Sequence, residues 1–237
     1  MKLRLAIAAL LIVSLVAAVA QTPKPQDVSK PKNPPKVAKK APAMELVTDL
    51  PGLPRVLLIG DSISIGYTVP VRDLLKGKVN VHRIPENGGP TTNGTAKLGK
   101  WLGTSKWDVI HFNWGLHDLK FMETGKVQVS LEDYENNLRE LVKQLKQTNA
   151  RLIWCATTPA PDAKLSPPRK DSDVRAYNAS ARKVMDENKI PINDLYAHTL
   201  PKLADVQLPA NVHFKKEGYE FLAKQVARSI EESLAKR

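Results

Sequence analysis

The chain has 237 residues, 42% of them hydrophobic and 25% charged, with a formal net charge of +12. Its single cysteine, Cys155, excludes an intramolecular disulfide framework. The basic balance does not point to nucleic acid, because more than half of the excess lies ahead of residue 45.

Residues 1–20, MKLRLAIAALLIVSLVAAVA, place Lys2 and Arg4 before an apolar run from Leu5 to Ala20, closing on Ala18-Val19-Ala20. This is the pattern of a secretory signal peptide cleaved after Ala20, and it predicts a secreted or periplasmic protein. The alternative is an uncleaved anchor, but sixteen apolar residues are short for a membrane span. No second apolar stretch of that length follows, so no stable membrane insertion is expected after cleavage.

Residues 21–50 are rich in Pro and Lys and predict an extended, disordered linker. The formal charge divides as +2 in the signal, +5 in the linker ahead of Glu45 and +5 in the rest. A tether lying near an anionic envelope or polysaccharide explains the linker lysines better than a DNA-binding tail does, and no nucleic-acid partner is expected.

Residues 51–237 are enough for one domain with a core. Short apolar runs predict strands at 55–59, 79–84, 108–113, 151–156 and 190–195. Ser130 with Asp133 reads as a capping pair, and Leu131, Tyr134, Leu138, Leu141, Val142 and Leu145 share a helical face. Further helices are predicted over 173–188 and through Tyr219, Leu222, Val226 and Ile230. Strands alternating with helices predict a three-layer α/β/α sandwich around a parallel sheet of about five strands. Cys155, in RLIWCATT, reads as a buried strand residue. The Pro-rich stretch 158–171 follows the fourth strand and falls at the edge where ligands bind in such folds.

Four stretches carry candidate chemistry. VLLIGDSIS ends a buried strand on Gly60-Asp61-Ser62, and by itself Ser62 reads as a helix cap more readily than as a nucleophile. ENGGPTTNG, residues 86–94, has the adjacent Gly88 and Gly89, which allow a backbone N–H to approach a ligand or simply make a turn. WDVIHFNWGLHDLK, residues 107–120, brings Asn113, His117 and Asp118 toward the same edge; Asp118 also reads as a cap for backbone N–H groups. PANVHFKKEGYEFL, residues 209–222, sets His213 at the entry to the last helix, where imidazole offers a base near neutral pH.

In this order the four motifs resemble the SGNH (GDSL-type) hydrolase superfamily, over about residues 55–232. The resemblance implies a flavodoxin-like α/β fold and ester hydrolysis by Ser62 and His213 through an acyl-enzyme. It implies an oxyanion hole from the backbone N–H groups of Ser62 and Gly89 (Gly88 less favoured), completed by the third motif. Two departures stand out. The usual Gly-x-Asn-Asp is Gly115-Leu116-His117-Asp118, so His117 would replace the Asn donor, with Asn113 as a substitute. One such donor is worth about 10²–10³ in rate. The usual Asp-x-x-His has Ala210 in place of Asp, a loss that costs about 10⁴ in related triads. His213 would then be oriented by a backbone carbonyl, by Asn211, or by Asp194 or Asp205, leaving a Ser-His dyad; Asp61 and Asp118 are supporting candidates.

No cofactor is expected, and the five histidines (82, 111, 117, 198, 213) show no local metal-ligand spacing. Few aromatics and a polar edge predict a small acyl group; the resemblance suggests acetyl esters on carbohydrate, as a small-molecule or polysaccharide substrate. Trp101, Trp107 and Trp114 read as sugar-stacking or, for at least two, core residues. A catalytically weak glycan-binding protein and a thioesterase or lysophospholipase are the alternatives.

Overall fold

The computed structural model describes residues 41–236; the expected signal peptide and residues 21–40 of the expected linker lie outside the described residues. Five parallel strands form one sheet: β1 (Arg55–Ile59), β2 (Asn80–Arg83), β3 (Val109–Phe112), β4 (Arg151–Cys155) and β5 (Ile192–Asn193), in the order β2-β1-β3-β4-β5. The register aligns Val56 with Val81 and Val109, and Phe112 with Trp154. Four of the predicted strands are present with ends moved by at most one residue. The fifth shrinks to two residues, because Pro191 has no N–H to donate and Asp194 already caps the next helix.

Among the described residues there are seven α-helices: α1 (Ser62–Leu74), α2 (Thr91–Leu102), α3 (Leu131–Lys146), α4 (Asp171–Glu187), α5 (Leu195–Thr199), α6 (Leu203–Val206) and α7 (Lys216–Ala235). α1 packs on α7 against one face of the sheet, and α2, α3 and α4 pack side by side. The three-layer α/β/α sandwich is therefore present, with the 2-1-3-4-5 strand order of flavodoxin-like folds. In this order the chain reverses its direction of travel between β1 and β3. The loops leaving those two strands diverge and leave a crevice at their carboxyl ends.

The central strands β1, β3 and β4 are buried on both faces, which is why they read as near-continuous apolar runs, while the edge strand β2 carries Asn80, His82 and Arg83. Ser130 caps α3, its Oγ accepting the Asp133 N–H at 3.1 Å. The packed face of α3 begins at Tyr134, and Leu131 is exposed. Cys155 is buried, as are Trp101 and Trp114, while Trp107 is partly covered with the Arg55 guanidinium 4.3 Å from its ring centroid.

The expected linker does not reach residue 50. Arg72 donates to the carbonyls of Pro42 (3.0 Å) and Glu45 (3.2 Å), and Ala43 is buried. Asn80 closes a pair of bonds with Leu50, accepting from its N–H and donating to its carbonyl. These contacts are made by backbone polar groups, which a composition dominated by Pro and Lys does not reveal.

Candidate active site

The turn from β1 into α1 sets the position of Ser62. Asp61 is the helix N-cap, its Oδ1 accepting the Ile63 N–H at 2.9 Å. Ser62 is the first helical residue, so its own N–H has no partner within the helix and donates to none of the described residues. Arg83, at the end of β2, clamps the turn from behind. Its Nη2 donates to the carbonyls of Gly60 (2.8 Å) and Asp61 (3.1 Å) and to Ser64 Oγ (3.0 Å). Its Nη1 donates to Ile84 O (2.9 Å) and Glu86 O (2.7 Å). Burial lowers the Arg83 pKa to about 10, which still leaves it cationic at neutral pH. The Gly60 carbonyl also accepts the Gly88 N–H at 2.9 Å, and a Cβ at Gly88 would lie 2.8 Å from that oxygen. Only glycine permits so close a backbone approach.

Ser62 and His213, 151 positions apart, meet with Oγ 2.8 Å from Nε2. On the far side of the ring, Nδ1 lies 2.8 Å from Asn211 Oδ1. The same oxygen accepts the backbone N–H of His213 at 3.0 Å. That second bond decides the chemistry: a backbone N–H needs an acceptor, so the amide oxygen faces the ring. Nδ1 must then carry a proton and donate it to Oδ1, leaving the Nε2 lone pair to accept the Ser62 hydroxyl proton. Ala210, where the resemblance leads one to expect an Asp, adopts φ +47° and is exposed. Of the orienting groups weighed for His213, Asn211 is the one in contact. Asp194 instead caps α5 and pairs with Arg182, and the Asp205 backbone carbonyl accepts from Lys215.

The remaining candidates separate. Gly89 has φ +62°, and its N–H donates to Asn87 Oδ1 at 2.9 Å, so the expected oxyanion donor is already engaged. His117 lines the same cavity as Ser62 and His213. Burial lowers its pKa, opposed by Asp61 and reinforced by the charges of Lys120, Arg169 and His213, so the ring is neutral at neutral pH. Asn113 does not serve as a substitute donor: its amide is spent on the Cys155 carbonyl (2.7 Å) and Thr157 Oγ1 (3.1 Å), tying β3 to β4. Asp118 is likewise a structural cap, Oδ1 accepting the Thr91 N–H (2.8 Å) and hydroxyl (2.6 Å) at the start of α2. Burial lifts its pKa to about 7. Among the described residues no cluster of His, Cys, Asp and Glu is placed to hold a metal ion.

The cavity around Ser62 measures about 520 Å³, and one part of its lining is the Pro-rich stretch that carries Lys164, Pro167 and Arg169. Arg169 Nε donates to the Leu116 carbonyl at 2.8 Å, bracing the residue before His117. Arg83, Asn87 and Arg169 carry no motif signal. Arg83 reads as the polar end of a strand, and the other two as ordinary loop residues.

The sequence model of the GDSL-like lipase/acylhydrolase family matches residues 58–221. A search of curated proteins finds no match. Among solved structures the chain is similar to the acetyl xylan esterase AlAXEase, at 18% identity and a TM-score of 0.65, covering 74% of this chain and 99% of that one. It is similar to a lipase/acylhydrolase from Enterococcus faecalis at 22% identity and a TM-score of 0.65, covering 76% and 96%. An acetylxylan esterase from Geobacillus stearothermophilus matches at 21% identity and a TM-score of 0.62, covering 75% and 94%.

Proposed function

The chain belongs to the GDSL-like lipase/acylhydrolase family, and from that premise we propose that it is a secreted or periplasmic serine esterase removing small acyl groups, acetyl above all, from carbohydrate. One observation carries the reading: the 2.8 Å contact of Ser62 Oγ with His213 Nε2, in a cavity and with the ring tautomer fixed by Asn211. In the proposed cycle His213 Nε2 accepts the Ser62 proton while Oγ bonds to the ester carbonyl carbon. The carbonyl oxygen becomes an oxyanion facing the free Ser62 N–H and the His117 ring N–H, and Gly89 joins them when Asn87 releases its N–H. The bond to the alcohol oxygen then breaks, and that oxygen takes the proton from Nε2. Water repeats the sequence on the acyl-enzyme, freeing the acid and restoring Ser62. The acetyl xylan esterase titles of two similar structures support the acetyl and carbohydrate part of the proposal.

Two alternatives have observations of their own. The Gly89 N–H held by Asn87 favours a catalytically weak glycan-binding protein. A groove lined by Leu200, Leu203, Leu208 and Pro209 shares Ala210 with the catalytic cavity and favours a longer acyl chain, as in a lysophospholipase or thioesterase. Hydrolysis of p-nitrophenyl acetate and octanoate by the wild type and Ser62→Ala separates all three. Acetate turnover that disappears in the variant supports the acetyl esterase. A rate that rises on octanoate moves the assignment to the longer chain. Equal background release by both folded proteins sinks the esterase.

A further inference from the structure

The cavity around Ser62, about 520 Å³, is larger than an acetyl group requires, and its lining carries Lys164 and Arg169. Arg169 is partly buried there, with Nε on the Leu116 carbonyl and Nη1 on the Pro167 carbonyl at 3.2 Å. Its Nη2 makes no hydrogen bond to any described residue, and no carboxylate among them pairs with it. Lys164, on the same stretch, is exposed and also without a partner among the described residues. The other titratable groups facing this space are Asp61, His117, His213 and the nearby Lys120. Asp61 is buried, with one oxygen committed to the helix cap. A partly desolvated guanidinium held by two neutral carbonyls has only the buried Asp61 carboxylate, outside ion-pair contact, to offset its charge, an arrangement that leaves room for a ligand anion.

We propose that the ester substrate carries a carboxylate on its alcohol side, seated between Arg169 and Lys164, as an acetylated acidic sugar would. This deepens the esterase reading and rests on it. The planar guanidinium, fixed by two carbonyls with Nη2 free, matches a carboxylate in shape and direction. The acyl group occupies the inner end at Ser62, so the cations meet the alcohol portion. The six lysines between residues 21 and 44 agree with the same partner, since a cationic segment on an anionic polysaccharide raises the local concentration of substrate.

The test compares para-acetoxybenzoate with its neutral analogue para-acetoxybenzamide. The wild type should favour the anionic ester by about tenfold in kcat/KM, the scale of one charged hydrogen-bond pair. The preference should shrink with ionic strength. Arg169→Gln should abolish the preference, bringing the two esters to equal kcat/KM whatever the variant's overall rate, and Lys164→Gln should reduce it partially. Equal rates on the two esters, or an equal fall on both in Arg169→Gln, overturn the proposal; the second result would mark Arg169 as bracing Leu116 only. If Arg169→Gln does not fold, the wild-type preference and its reduction in Lys164→Gln decide. If neither ester is hydrolysed, the esterase reading fails separately. Oligogalacturonate should then still raise the Tm of the wild type more than that of Lys164→Gln, and no rise in either overturns the anion site.

Discussion

Asn211 supplies an oxygen where a related triad supplies a carboxylate, and the difference lies in charge rather than in geometry. Its Oδ1 holds the ring with Nδ1 protonated, and in the proposed cycle a neutral amide would give less stabilisation to the imidazolium formed when Ser62 attacks. Asn211→Asp should therefore raise kcat on p-nitrophenyl acetate, by about tenfold for a charge in a partly solvated site. Asn211→Leu should lower it by about 10² with little change in KM, because the ring then loses both its orientation and its tautomer. A wild-type kcat in the Leu variant would remove Asn211 from the mechanism. Ala210 makes the missing carboxylate legible in the sequence, and Asn211 stands among the replacements, but nothing in the spacing selects it over a backbone carbonyl, Asp194 or Asp205. Asn211 reaches the ring because Ala210 turns the chain at φ +47° and the side chain of Asn211 folds back onto residue 213. Backbone reversal of this kind has no signature in residue spacing.

The motif turn is held by a neighbouring strand rather than by its own residues. Arg83 gives five hydrogen bonds to Gly60, Asp61, Ser64, Ile84 and Glu86 and so joins the end of β2 to the start of α1. Arg83→Met leaves those buried oxygens short of donors and should destabilise the fold by about 3 kcal/mol, read as a lower urea midpoint. At temperatures where it is still folded, it should also lose kcat, because Ser62 is no longer fixed. Arg83→Lys keeps the charge without the fork and should recover part of the stability; if Met and Lys behave alike, the clamp is not a matter of directed bonds. At this scale the sheet was largely legible, because the central strands β1, β3 and β4 are buried on both faces and almost wholly apolar. β5 was over-read, since Pro191 and the cap at Asp194 cut short a run that is apolar only at its start. Arg83 was illegible for a different reason: three of its five partners lie in the turn from β1 into α1, distant in sequence, and only the fold brings them to its guanidinium.

For the whole molecule, the buried titratable groups act on stability in opposite directions. His111 is fully enclosed, and burial alone lowers its pKa to about 3. The unfolded chain therefore takes up a proton that the native chain refuses, and this contribution to stability is lost as pH falls below the ordinary histidine value. Asp118 runs the other way. Its native pKa of about 7 stands above the reference 3.8, so the native state holds a proton that the unfolded state has released. Its contribution is complete below the unfolded pKa and is lost as pH rises through the native one. A shift of this size corresponds to an effect on the order of 4 kcal/mol. Asp118→Asn isolates it, because the amide oxygen can still accept from the Thr91 N–H and hydroxyl while the proton exchange disappears. The stability difference between variant and wild type should be small near about pH 4, grow in favour of the variant toward about pH 7 and level off above it. Urea unfolding across that range measures the difference directly, with the His111 contribution common to both proteins and cancelling. A difference independent of pH would mean that Asp118 is ionised throughout, stabilised as an anion by the start of α2.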